Sequence, residues 1–190
     1  MNQDLARADS DPNIKWIVVF YHRLAYTSPS FVGSVPLIRD TYHPLFEKYN
    51  VDLVIQAHNH NYQRTYPIKY NSSVHAKPII TDFNETNYRD LNGQVFLIVG
   101  TAGSPFIHNF TGTSYYMANQ FNAYGFLNID VTNNGNTFVG TFKNNNGSTN
   151  DKFVISKSRT DIVRDGRGNN SNGNREIEPR IDSRYQNEFI

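Results

Sequence analysis

The sequence predicts an α/β domain with a β-rich close, and three observations predict it. Two short apolar runs, "KWIVVFYH" and "VDLVIQAH", flank a helical pattern, the layout of a βαβ unit with buried parallel strands. Further strand-like runs, "GQVFLIVGTAG", "YGFLNIDVT", "TFVGTF" and "DKFVISK", then follow with no helical pattern between them. The chain has 190 residues, enough for one medium domain with a core of its own.

Each element has a local reason. Residues 2 to 9, "NQDLARAD", read as the last turns of a helix whose beginning lies upstream: Leu5 and Ala8 share a face, and no capping residue precedes them. "DPN" breaks that helix. "KWIVVFYH" is β-branched and aromatic throughout, as a strand buried on both faces requires. After the loop "RLAYTSPSFVGSVP", Ile38, Tyr42, Leu45, Phe46 and Tyr49 recur at helical spacing. Pro44 stands inside that pattern and predicts a kink or a split there. "VDLVIQAH" is the second buried strand. The runs "FLNIDVT" and "TFVGTF" around "NNGN" predict a hairpin. We assign residues 1–157 to one domain and residues 158–190, polar and without periodicity, to a disordered tail.

Composition excludes several classes. The hydrophobic fraction of 38% fits a chain that does not pack along its whole length. A net charge of +1 gives no reason to expect nucleic acid or an anionic membrane surface as a partner. There is no cysteine, so neither disulfides nor thiolate metal sites are available. No apolar run is long enough to span a membrane, and the first residues lack a basic start followed by an apolar stretch. The Asn-x-Ser/Thr triplets at Asn71, Asn84, Asn109, Asn146 and Asn169 are no more than so Asn-rich a chain yields by chance, and they do not argue for secretion.

The histidines carry the chemical signal. His22 ends the first strand, and His58 and His60 follow the second. In an open α/β sheet, ligands bind outside the carboxyl ends of the strands. Parallel strands therefore bring all three imidazoles to one rim, and an extended backbone points His58 and His60 to the same side. A lone His at a strand end is usually a hydrogen-bonding residue; the combination is what points to a metal. Three histidines alone admit a mononuclear zinc site with an open position for water. A dinuclear site needs bridging carboxylates as well, and none emerges. Asp52 is at the wrong end of its strand, Asp40 is on the helix, and nothing ties Asp82 or Glu85 to the rim. His43 reads as packing or solvated, and His75 and His108 have no informative context.

"WIVVFYHRLAYTS" with "PLFEKYNVDLVIQAHNHNYQRTYPI" closely resembles the C-terminal half of calcineurin-like metallophosphoesterases, and among them the purple acid phosphatase branch. Val19-Phe20-Tyr21-His22 matches the family's Val-x-x-His, and Ala57-His58-Asn59-His60 stands where Gly-His-x-His is expected. Tyr62 and Arg64 fit the Tyr-Glu-Arg that trails this motif, with Gln63 in place of Glu. The resemblance covers about residues 3–157. It implies a four-layer α/β/β/α sandwich, here its C-terminal part, and hydrolysis of phosphate esters by a metal-bound hydroxide at two metal ions of the Fe, Zn or Mn type. By it, His22 and His58 hold one metal and His60 the other.

The departures from the family are specific. The three motifs that supply the family's carboxylate ligands, its Asn ligand and a catalytic His are absent, so no catalytic residue is assigned. Ala57 replaces Gly, Leu24 replaces a common Pro, and "SPSFVGSV" lacks the phosphate-contacting His that plant and animal enzymes carry about ten residues past Val-x-x-His. Three readings follow. The first is a phosphoesterase fragment, weakly active or inactive alone, whose remaining ligands come from a missing N-terminal half or a partner chain. The second is a binding module that keeps the fold without the chemistry, and the third a three-His zinc hydrolase. Family resemblance suggests an exported protein.

Overall fold

A computed structural model describes residues 1–158; the tail expected from residue 158 onward falls, but for its first residue, outside the described residues. The first helix, α1 (Asn2–Ser10), starts from Met1 with no side-chain cap. It closes at "DPN", where Asp11 Oδ1 accepts the backbone N–H of Asn13. Strand β1 (Val18–Phe20), helix α2 (Pro36–Lys48) and strand β2 (Leu53–Gln56) form the expected βαβ unit, with β1 and β2 parallel and Val18 opposite Leu53. Helix α2 runs through Pro44 as one continuous element. A proline there removes one backbone bond, and the packing of Ile38, His43 and Phe46 against the sheet outweighs that loss.

Nine more strands follow: β3 (Tyr62–Thr65), β4 (Ile68–Lys69), β5 (Ile79–Ile80), β6 (Asn87–Arg89), β7 (Val95–Val99), β8 (Met117–Phe121), β9 (Gly125–Thr132), β10 (Thr137–Asn144) and β11 (Thr149–Ser156). They complete a five-stranded mixed sheet in the order β1-β2-β7-β3-β8 and form a four-stranded sheet in the order β6-β11-β10-β9, with β4 and β5 paired apart as a two-stranded sheet. The hairpin around "NNGN" joins β9 to β10, with Asn133, Asn134 and Gly135 all at positive φ, as a turn that follows the sheet twist demands.

Alternation of side chains along the first sheet explains the layers. Val54 and Phe96 face α1 and α2, together with Leu5, Ile38 and Phe46. Their strand neighbours Leu53, Val95 and Leu97 face the second sheet and meet Phe138, Phe142, Phe153 and Ile155. The described residues thus stack as helices, sheet, sheet, three layers of the expected sandwich. No described helix is long and apolar enough to cross a membrane.

Strand direction sets the working edge. β1, β2 and β7 are parallel, so their carboxyl ends share one rim. β3 runs antiparallel to β7 with Tyr62 opposite Val99, so the start of β3 lies at that rim too.

Candidate metal centre

The rim brings two of the three expected histidines into direct contact. His22 Nε2 and His58 Nδ1 stand 2.8 Å apart, with their rings edge to face. The backbone helps, because the N–H of Ala57 donates to the carbonyl of His22 and so extends the β1–β2 ladder to the rim. His58 takes a left-handed conformation, φ 64°. A non-glycine residue there costs about 1–2 kcal/mol, and such strain gathers at ligand sites.

The extended backbone expected for His58-Asn59-His60 does not occur. Residues 57–61 form a tight series of bends, in which Asn59 N–H donates to Ala57 O and Asn61 N–H to Asn59 O. The bends pack closely on the end of β7: a Cβ on Gly100 would lie 2.1 Å from the carbonyl oxygen of Asn59, so only glycine fits there. His60 consequently faces a different set of groups. Its Nδ1 is 2.7 Å from Ser104 Oγ, and its ring stacks on His108 at 4.1 Å between centroids and 11° between planes.

Three polar residues anchor these bends. Asn59, fully buried, accepts from Val32 N–H and donates to Val32 O and Thr27 Oγ1. Asn61 donates to Ser30 Oγ and His108 O. Gln63 accepts from Ser28 N–H and donates to Asn61 Oδ1 and Thr27 Oγ1. An amide can do both where the family's Glu would only accept.

Burial holds the His58 imidazole below its ordinary pKa, with the charges of His22, Arg23 and His60 adding to the effect. Burial does the same to His108, helped by His60 and His58. Such shifts keep imidazoles neutral, as metal ligation requires. Sequence reasoning passed over His108; the one signal available was its place in the loop after β7, at the carboxyl end of a parallel strand.

Does the arrangement fit a metal? Two nitrogens on one tetrahedral zinc, each about 2.0–2.1 Å from it, stand roughly 3.3 Å apart. The His22–His58 contact of 2.8 Å is a hydrogen-bond distance, so the two rings have to part slightly to share an ion. A full ligand set is not assembled: among the described residues, no group of three or more His, Cys, Asp or Glu side chains is placed to hold an ion. The carboxylates considered above are engaged elsewhere. Asp52 accepts from Ile17 N–H, Asp40 pairs with Arg39 and His75, and Asp82 caps the turn at Asn84.

Tyr62 and Arg64, which trail the motif, turn away from the rim into the space between the sheets. Arg64 makes a bidentate pair with Asp151 at 2.6 and 2.9 Å and donates to Tyr88 Oη at 2.6 Å. Tyr62 Oη donates to Asp151 at 2.7 Å. Burial pushes the Asp151 carboxyl up, but the Arg64 and Tyr62 donors outweigh it and hold it below the usual carboxylate range.

Comparison with known proteins adds ancestry to this geometry. No family model matches the chain. It is 30% identical over 155 residues to an Arabidopsis thaliana protein named probable inactive purple acid phosphatase 1, across 78% of this chain and 24% of the plant protein. A nucleotide pyrophosphatase/phosphodiesterase of Hordeum vulgare is 28% identical over 155 residues, across 78% of this chain and 40% of that protein. The structure of a purple acid phosphatase from yellow lupin seeds, Lupinus luteus, matches with a TM-score of 0.72 at 24% identity, over 85% of this chain and 28% of the lupin chain. The chain therefore spans well under half the length of these relatives.

Proposed function

We propose that this chain, a homologue of the C-terminal part of purple acid phosphatase-like proteins in the calcineurin-like phosphoesterase group, carries the histidine side of a metal-dependent phosphoester-hydrolysing centre. The observation that carries the reading is the convergence of His22 Nε2 and His58 Nδ1 to 2.8 Å at the sheet rim, reached through a strained backbone at His58. His22 and His58 hold one metal ion. The second ion of a dinuclear centre falls to His60, whose Nε2 is left to ligate while Ser104 fixes Nδ1. Ions of the Fe, Zn or Mn type suit imidazole nitrogen. When bound, such metals polarise a phosphoryl oxygen and lower the pKa of a bound water. The chain's own residues orient the ligands: the bends at 57–61, pinned by Asn59 and Asn61, fix both imidazoles before a ligand arrives. Carboxylate ligands come from a further segment or a partner chain, and the substrate is a phosphate ester.

A second reading is favoured by a specific observation. The Arabidopsis relative is named probable inactive, and no complete ligand group stands among the described residues. A module that keeps the fold and has lost the chemistry fits both facts. The same absence of a complete group weighs against a self-contained three-His zinc hydrolase.

Zinc titration of the 190-residue chain by calorimetry separates the readings. The metal reading expects saturable binding that His58→Ala weakens at least about tenfold. No binding, or binding indifferent to His58→Ala, overturns it in favour of the module. Hydrolysis of p-nitrophenyl phosphate by the zinc-loaded chain is expected to be weak or absent. Robust turnover lost in His58→Ala would contradict the need for further ligands.

A further inference from the structure

His108 is held on every side but one. Its backbone N–H donates to His60 O, and its carbonyl accepts from Asn61 Nδ2. Its ring lies between Phe31, at 4.1 Å and 26°, and His60, at 4.1 Å and 11°. The backbone N–H of His60 points at His108 Nδ1, 3.0 Å away. A backbone amide only donates, so Nδ1 accepts and carries no proton, and the neutral ring keeps its proton on Nε2. That Nε2 is buried and has no hydrogen-bond partner among the described residues, in a residue only 7% exposed.

A buried donor without a partner is rare and costly in a folded protein, and it calls for an explanation. Here the surroundings supply one. The tautomer is set by His60, the second histidine of the His58-Asn59-His60 motif. Three bonds and two stacked rings fix the imidazole, so its one unspent bond has a defined direction. The rings beside it, Phe31 and Phe106, are 69% and 54% exposed, so His108 lies just beneath the surface.

We infer that His108 is a substrate-binding residue of the rim, whose Nε2–H donates a hydrogen bond to a non-bridging oxygen of the phosphate ester held at the His22–His58 pair. The inference rests on the phosphoester reading above and adds to it a residue outside both matched motifs. A fixed neutral donor suits this task. It needs no charge and no reorganisation when the anion arrives.

Inorganic phosphate binding to the zinc-loaded, full-length chain tests this, read by calorimetry and by the ring nitrogens of 15N-labelled histidine. In the phosphate-free protein, His108 shows the Nε2–H tautomer. Phosphate shifts the His108 Nε2 signal, and His108→Asn weakens phosphate binding about tenfold while leaving the zinc isotherm in place. Asn is chosen because its amide oxygen replaces Nδ1 as acceptor for His60 N–H and removes only the far donor. If zinc binds but phosphate does not, or phosphate binds equally to His108→Asn, or the His108 Nε2 signal is unmoved at saturation, the inference is overturned and the metal reading stands. If the chain takes up no zinc, the metal reading fails and this inference falls with it. Should His108→Asn fail to fold, the wild-type Nε2 shift decides alone.

Discussion

Arg64 and His108 are both buried polar side chains, and both belong to segments that meet at the start of β3, yet their surroundings are opposite. Around Arg64 every strong donor has an acceptor: Asp151 takes two bonds, Tyr88 one, and the Phe153 ring lies under the guanidinium at 4.9 Å. Around the rim the balance is left open. His22 and His58 have only each other, through one hydrogen bond between their rings at the surface, and His108 Nε2 has no partner among the described residues. A closed polar network between two sheets holds the fold in one register. An open one at the carboxyl ends of parallel strands costs stability, and in the proposed reading a bound ligand offsets that cost.

That contrast can be broken most forcefully at its closed end. Asp151→Ala leaves the Arg64 charge buried without its carboxylate and is expected to cost about 3–5 kcal/mol in urea unfolding. A cost under about 1 kcal/mol would mean the network is ornamental to the fold.

Acid should find the next weakness. His43 is wholly buried, its Nδ1 beside Tyr26 Oη and its Nε2 beside Gln94 Oε1. Burial lowers its pKa from 6.5 to about 4. The unfolded chain therefore takes up the proton first as pH falls. Stability is unaffected by His43 above about pH 6.5, declines between there and about pH 4, and is lower by about 3 kcal/mol below that window. Unfolding curves across the window, compared with those of His43→Gln, isolate this part; a parallel decline in both proteins would refute it.

Tyr62→Phe removes one donor and leaves the Arg64–Asp151 pair intact, so a loss of about 1 kcal/mol is expected by the same unfolding assay. The smallest effect sharpens the contrast from the open end. His58→Gly relieves the left-handed backbone and should raise stability by about 0.5–1 kcal/mol while abolishing zinc binding. Destabilisation would place His58 with the closed network rather than the open one.

Legibility in the sequence follows the same division. The βαβ unit, the hairpin and the rim were readable because apolar periodicity and strand direction determine them. Strand β3 was not: "YQRT" is polar and amphipathic, yet all four residues are buried, since the side chains of Tyr62 and Arg64 pair with the other sheet, Gln63 with a loop and Thr65 with the adjacent strand β7. Pro44 predicted a kink or a split, and α2 is not split there. An extended backbone points His58 and His60 one way, but the chain bends between them, and it is Gly100 that leaves room for the bent segment. His108 sits in a loop without periodicity, and only the folded loop shows that His60 fixes its tautomer.

The most direct test of the account is a zinc titration followed through all six histidine side chains by 15N NMR of the full-length protein. The account predicts that His22 and His58 shift together at the lowest zinc, while His43, caged by Tyr26 and Gln94, and His75, paired with Asp40, stay unmoved. Zinc that shifts His75 or His43 first, or that moves no histidine, would contradict the claim that the open polar groups at the rim are built to bind.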